Sequence, residues 1–468
     1  MIPQPYRRFV LVLCLLALGI AAVRDFSRLG PAVPWRTMDE FADFYCAGQT
    51  LDRGASPYTY EPLHACEHRF NTGPSFRGKL FAGNPAIAVP APQPPYDFVP
   101  FMALARTNFS IARAIDAAAI VIVVALAAIA LSAIGLPLAL CLAVFALSAG
   151  YTELNTAQIV PFALLVLVLC GLALERGRDP LAGVLAALTA IEPIVGLPVV
   201  VATFLFVPRA RWALAAALAG LLALACAIAG PNGLLEYLVA VLPAHSQSEL
   251  LFPFQYSLTS ALATLGASPV AARVAGAASY VLMLAAALVI APATSAQLPR
   301  RALLVFVPAL CCVIGGTFLH QEELCFAIPA VTLLAWETTG RQRTIATVAL
   351  CLLAVPWIAV WGAKQLFLAS LLVVATILVQ LRLELRASLI AFGAIAAAIY
   401  CFELAPPKLP VPAAMPAIYT AGQLVSLEWR DYTALRSTHD PLWFAIKVPT
   451  WGALLASLAI AASISRRI

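Results

Sequence analysis

Residue 43 is an aspartate held among aromatic residues, in the run Phe41-Ala42-Asp43-Phe44-Tyr45, the first polar stretch after an opening apolar segment. A carboxylate just outside a bilayer, followed by many more apolar runs, is placed to act as a base at the membrane surface, taking the proton of an attacking hydroxyl within hydrogen-bond reach. Asp39 and Glu40 precede it, and all three acids would equally suit the first turn of a short interfacial helix, where carboxylates are favoured. Two other polar groups punctuate the apolar sequence: Glu153, Asn155 and Gln158 at a loop rim, and His320 ahead of Gln321, Glu322 and Glu323. The rim residues suit sugar binding or plain loop polarity. His320 suits a phosphate, an acceptor or a simple interfacial anchor, while Glu322 and Glu323 open a returning helix.

The setting of these residues is a membrane. With 62% hydrophobic and 11% charged residues and a mean hydropathy of +0.91, the chain carries more apolar side chains than a soluble core buries. The net charge of +6 does not signal nucleic acid, because Arg and Lys fall largely between apolar runs, as the positive-inside bias requires. The fold class expected is an all-α polytopic membrane protein, a single integral membrane domain over 1–468.

A crossing helix needs about 20 apolar residues, and basic turns mark cytoplasmic ends. Arg7 and Arg8 precede an apolar run at 9–23, expected to be a retained span and not a cleaved signal peptide, since more spans follow and no small-x-small site precedes Arg24. A large first extracytoplasmic loop then covers 24–116. Further spans are expected at 117–134, 136–149, 158–174, 212–229, 270–290, 302–318, 324–336, 344–361, 367–381, 387–400 and 441–463, about twelve crossings in all. External stretches fall at 230–269 and 401–440, and both termini are expected in the cytoplasm of a plasma-membrane protein. Segment 180–207 has basic turns at both ends, so it is expected to be a re-entrant hairpin broken at Glu192-Pro193. Proline cannot continue a helix, and a charge at mid-depth costs roughly 2.5–3.5 kcal/mol unless it faces a cavity or partner. One long tilted span is the alternative. No inverted repeat of the transporter type is visible.

Nine of the 11 cysteines lie in apolar runs, where a thiol packs as a small hydrophobe. Cys46 and Cys66 share the first loop, which leaves a disulfide and two free thiols equally open. His64, Cys66 and His68 do not match a standard zinc spacing, and no metal ligands are assigned.

The order Asp43-Phe44, Ala47-Gly48, Leu51, Gly54, Pro57-Tyr58 resembles the first external loop of glycosyltransferase family 87, integral membrane mannosyl- and arabinosyltransferases of the GT-C superfamily that use polyprenyl-phosphate sugars. Pro94-Pro95-Tyr96 with Phe98-Val99-Pro100-Phe101 is similar to that family's run before the second span. Asn155-Thr156-Ala157-Gln158 resembles its Gly-Gln element, with Ala157 in place of Gly. Leu174 through Arg178, Gly183 and Pro193 resembles another stretch, with Glu192 where lysine is usual, so no role is carried over for that lysine. Phe318-Leu319-His320-Gln321 resembles the family's Ser-Trp-x-His-His element, with His320 matching the first histidine and Gln321 replacing the second.

The resemblance implies that Asp43 is the catalytic base, and Tyr58, Gln158, His320, Arg53 and Arg106 are expected to contact substrate. It also implies a polyprenyl-phosphate sugar donor, mannose as the sugar moved, and an extracytoplasmic lipid or glycan acceptor. Since the leaving phosphate gains charge, basic side chains should face it, and Arg36, Arg53, Arg106, Lys364 and Arg430 are the candidates. Inversion is expected, because one base and one displacement suffice and no second carboxylate nucleophile is evident. No cofactor is expected, and a metal is neither demanded nor excluded. The chain is expected to be a monomer among membrane lipids. A transporter or flippase of a lipid-linked saccharide, or a structural subunit of an envelope-assembly complex, are the alternatives. The last loop, with Trp429, Arg430 and His439, suits either acceptor binding or closure of the fold.

Overall fold

The computed structural model describes residues 38–72, 76–360, 364–405, 407–408, 419–435 and 440–466, with backbone only at 76–79 and 364–365. The apolar run at 9–23, Arg36, His439 and the Lys364 side chain lie outside what is described.

The described chain is helical, and its single β contact is an isolated antiparallel bridge between Thr59 and Leu424. Six described helices are long and apolar enough to cross a membrane: Phe109–Ser132, Leu138–Thr156, Pro208–Ser248, Pro269–Gln297, Leu385–Leu404 and Pro441–Ser465. Phe109–Ser132 alone, with 24 residues, extends about 36 Å at 1.5 Å per residue, more than the ~30 Å hydrocarbon core. It starts inside the stretch expected to be loop. Asn108 caps it, its side chain accepting from the Ser110 amide at 2.9 Å, so polar Ser110, Arg113 and Asp116 join the first turns.

Shorter apolar helices fill the gaps, at Val160–Glu175, Asp179–Ile191, Pro193–Phe206, Leu303–Gly315 and Leu366–Gln380. The break expected at Glu192-Pro193 is present. A 3-10 turn at Thr189–Ile191 ends the first helix, Glu192 is extended, and Pro193 opens the second, where its missing N–H costs nothing. Two tyrosines from elsewhere brace the break: the Tyr96 hydroxyl donates to the Ala190 carbonyl and the Tyr280 hydroxyl to the Ile194 carbonyl, at 2.8 and 2.7 Å. Gly196 sits where an added Cβ would come 2.5 Å from the Thr189 oxygen, so the two halves pack too closely for a side chain.

The helix expected to end at 229 does break there. Gly230 leaves the helical conformation, at φ +71°, and a second helical segment follows at once and runs through a π turn, Tyr237–Val241, into Leu242–Ser248. Proline after the glycine can start that new segment without the N–H it lacks, so the stretch expected to be external opens as a helix and not as a loop.

The first and last loops are joined. Tyr60 N donates to Gln423 O and Val425 N to Tyr58 O, at 2.8 and 3.0 Å, around the Thr59–Leu424 bridge. A disulfide between Cys46 and Cys66 ties the helix Phe41–Asp52 to Tyr60–Phe70, which settles the open question of those thiols. At the opposite end of the helices, Arg300 pairs with Glu337 at 2.6 Å and donates to Ile134 O, while Arg301 pairs with Asp179 at 2.8 Å and donates to Leu174 O.

Candidate functional site

A cavity of about 530 Å³ opens where the loop helices meet the ends of the bundle. Asp43 lines it from the first turn of Phe41–Asp52 and is 2% exposed. Several features of the resembling motif prove to hold that helix in place. Gly48 passes so close to Phe101 that an added Cβ would lie 2.5 Å from its carbonyl carbon, which explains the small residues at 47 and 48. Gly54, at φ +76°, makes the turn after the helix, a conformation glycine adopts without penalty. The start of the helix is fixed too: Asp39 N donates to Asn155 O and Glu40 N to Thr156 O, at 3.0 and 2.9 Å.

These bonds bring the 155–158 segment against Asp43. Ala157 is left-handed, at φ +66°, and turns the chain so that the Gln158 amide donates to the Glu40 carboxylate. Glu40 thus occupies the N-cap position, but its side chain makes no cap bond there. Asp43 stands in the helix's first turn, where a carboxylate is favoured.

The third wall carries His320. Its Nε2 faces the Glu249 carboxylate at 3.4 Å, and its backbone N–H donates to Glu323 at 2.7 Å. The Trp429 indole donates to the other Glu249 oxygen, bringing the last loop into the wall. Burial pushes the Glu249 carboxyl up, but His320, His245 and Trp429 outweigh that and hold it below the ordinary range. Burial also opposes charge on His320, yet Glu249, Glu323 and Glu322 outweigh it and push the imidazole up to about 10. Burial holds Glu322 above the ordinary carboxylate range. Gln321, in place of the family's second histidine, ties elements together: it donates to the Thr152 hydroxyl at 3.3 Å and accepts from Ile358 N at 3.1 Å.

Of the residues expected to contact substrate, Asp43, Gln158 and His320 share this cavity. Tyr58 is not part of its lining. Buried, it donates from its hydroxyl to Gln93 O at 2.8 Å, and so fixes a lining residue from behind. Arg53 is exposed beyond the end of its helix, Arg106 is exposed and paired with Asp52 at 2.6 Å, and Arg430 is exposed and paired with Asp431 at 3.1 Å. None of the three lines the cavity, and the described lining contains no lysine or arginine at all. Its charged and titratable groups are Asp39, Glu40, Asp43, Glu249, Glu322, Glu323, His245 and His320.

His64 and His68 serve the loop itself. Both ring nitrogens of His64 have partners, Glu61 and the Pro85 carbonyl, and His68 faces the Ile87 carbonyl. Cys66, between them, is in the disulfide. His245, Glu249 and the aromatic pair Phe252 and Phe254 escape a reading of the sequence. The signal was present: Glu249 is a lone acid set before Leu250-Leu251-Phe252-Pro253-Phe254, a charge that an apolar stretch keeps only with a partner.

Glycosyltransferase family 87, which the loop motifs resemble, has a sequence profile that matches residues 94–319. The match takes in the bundle from the loop's end through Gln158, His245 and Glu249, stops just before His320, and leaves Asp43 upstream. It indicates a glycosyltransferase. No curated protein and no solved structure matches the chain.

Proposed function

We propose that the chain is a GT-C type membrane glycosyltransferase that moves mannose from a polyprenyl phosphate to a lipid or glycan acceptor outside the cytoplasm. Asp43 serves as the general base. The observation that carries this reading is the position of Asp43: buried on the wall of a cavity with Gln158 and His320, polar groups of the kind that hydroxyls and phosphates use. Trp429 and Tyr432 add flat aromatic faces, which suit a sugar ring.

In this reading the acceptor hydroxyl loses its proton to Asp43 as its oxygen attacks the anomeric carbon. The bond from that carbon to the phosphate oxygen breaks on the far side, the lipid phosphate leaves with the electron pair, and the configuration inverts. His320 lies on the phosphate's side of the cavity, its ring oriented by Glu249. The broken segment around Glu192 is read as a re-entrant hairpin whose apolar groove admits the polyprenyl tail. Photocrosslinking of a lipid-phosphate analogue at sites away from that segment would argue against the groove.

The test of the whole reading is Asp43→Asn, which keeps size and polarity and removes basicity. The variant should bind polyprenyl-phosphate mannose as the wild type does and transfer it at about a hundredth of the normal rate or less. Full turnover in that variant, or wild-type protein that carries the lipid-linked sugar across the bilayer without transferring it, overturns the proposal.

A further inference from the structure

We propose that His320, Glu322 and Glu323 form a site for one divalent cation of the Mn²⁺ type. One potential ligand atom from each lies within 4.8 Å of the other two, and all three residues line the cavity, so an ion can reach them. An ion about 2.0–2.2 Å from each ligand holds two of them at most about 4.4 Å apart, so only a small closure of side chains is needed.

The surroundings are arranged as a metal site requires. His320 turns Nε2 to Glu249, and the ion displaces the proton on Nδ1 to take that nitrogen as its ligand, the relation of imidazole to carboxylate that fixes a ligating ring. Glu249 is itself held by the Trp429 indole. Glu323 is oriented through one oxygen by the His320 backbone N–H, which leaves the other for coordination.

A separate observation points to the same place. Glu153 is 0% exposed, and neither of its carboxylate oxygens has a hydrogen-bond partner. The charges that act on it most strongly are those of Glu322 and then Glu323, so its carboxylate lies near the proposed ligands. A buried carboxylate beside two others, with no lysine or arginine in the described lining, is an expensive arrangement that a divalent cation would resolve. One imidazole with several carboxylates suits Mn²⁺, for which oxygen donors are favourable and nitrogen acceptable. In the glycosyltransferase reading such an ion would face the donor phosphate. That use rests on the reading, whereas the ion site rests on the cavity alone.

The experiment takes the purified full chain, stripped with EDTA, and titrates it with MnCl₂ in the absence of any sugar lipid, counting free Mn²⁺ by electron paramagnetic resonance. One saturable ion per chain is expected, with spin-echo modulation from one imidazole nitrogen. Glu322→Gln and Glu153→Gln should each weaken binding roughly tenfold or more, in protein that melts as the wild type does in EDTA. If a variant fails to fold, the imidazole signal of the wild type decides alone. No saturable Mn²⁺, no nitrogen modulation, or unchanged affinity in folded Glu322→Gln overturns the site. Asp43→Asn should bind Mn²⁺ normally, so loss of the ion and loss of transfer are separately visible.

Discussion

The two ends of the helical bundle treat their acids differently. At one end Glu337, Asp179 and Glu175 each find a donor: Arg300 at 2.6 Å, Arg301 at 2.8 Å and the Ala302 N–H at 2.9 Å. The same arginines cap the carbonyls of Ile134 and Leu174, where helices end. At the other end, Asp39, Glu40, Asp43, Glu249, Glu322 and Glu323 line one cavity with two histidines and no described lysine or arginine. The first end is satisfied in itself, which is what stability asks of a helix terminus. The second gathers several carboxylates and two histidines around one space, and such clusters mark the places where a chain binds or reacts.

Exchanging the consequences of the two ends would break that contrast. Asp43→Asn should lower transfer by about 10²–10⁴-fold, the usual contribution of a general base, while leaving the melting temperature nearly unchanged. Turnover of polyprenyl-phosphate mannose and a thermal melt of the same preparation check both halves. Arg300→Met should do the reverse. It strands a largely buried Glu337 and frees the Ile134 carbonyl, costing about 2 kcal/mol in a denaturation series, with normal activity per folded molecule. Activity loss without a stability loss at Arg300 would show that the ends are not divided in this way.

The helices were legible in the sequence because their signal is local. Runs of about 20 apolar residues place Pro269–Gln297 and Leu385–Leu404 close to the expected 270–290 and 387–400. Glu192-Pro193 showed a break for the same reason. Gly230-Pro231 marks a true departure from the helix, but such a pair does not say that a new helical segment follows at once. The site was legible only in part. Asp43, Gln158 and His320 stand in motifs, but Glu249 meets His320 and Trp429 through folding of distant segments, and no spacing in the chain reports that. The arginines were candidates on charge alone, and charge does not reveal that Arg106 is already held by Asp52.

Two smaller effects sharpen the comparison on the cavity side. Glu428, buried on the helix Val425–Leu435, is pushed up to about 9, chiefly by burial. With a folded value above the ordinary 4.5, its contribution to stability is complete below 4.5 and is lost as the pH rises through about 9. Glu428→Gln should therefore flatten the alkaline fall of the melting temperature between those values. Ala157→Gly should add up to about 1 kcal/mol, because glycine takes the left-handed cap without the Cβ penalty, and a denaturant midpoint measures it.

The bridge between Thr59 and Leu424 also bears on how the protein is made. The strand partners lie near opposite ends of the sequence, and Trp429, which holds Glu249, follows the second of them. During synthesis the early loop must wait, exposed, until nearly every later helix has entered the bilayer before its roof arrives. A polypeptide stalled or truncated ahead of Leu424 would therefore be inserted yet inert, and the cell would see no half-active products from incomplete translation.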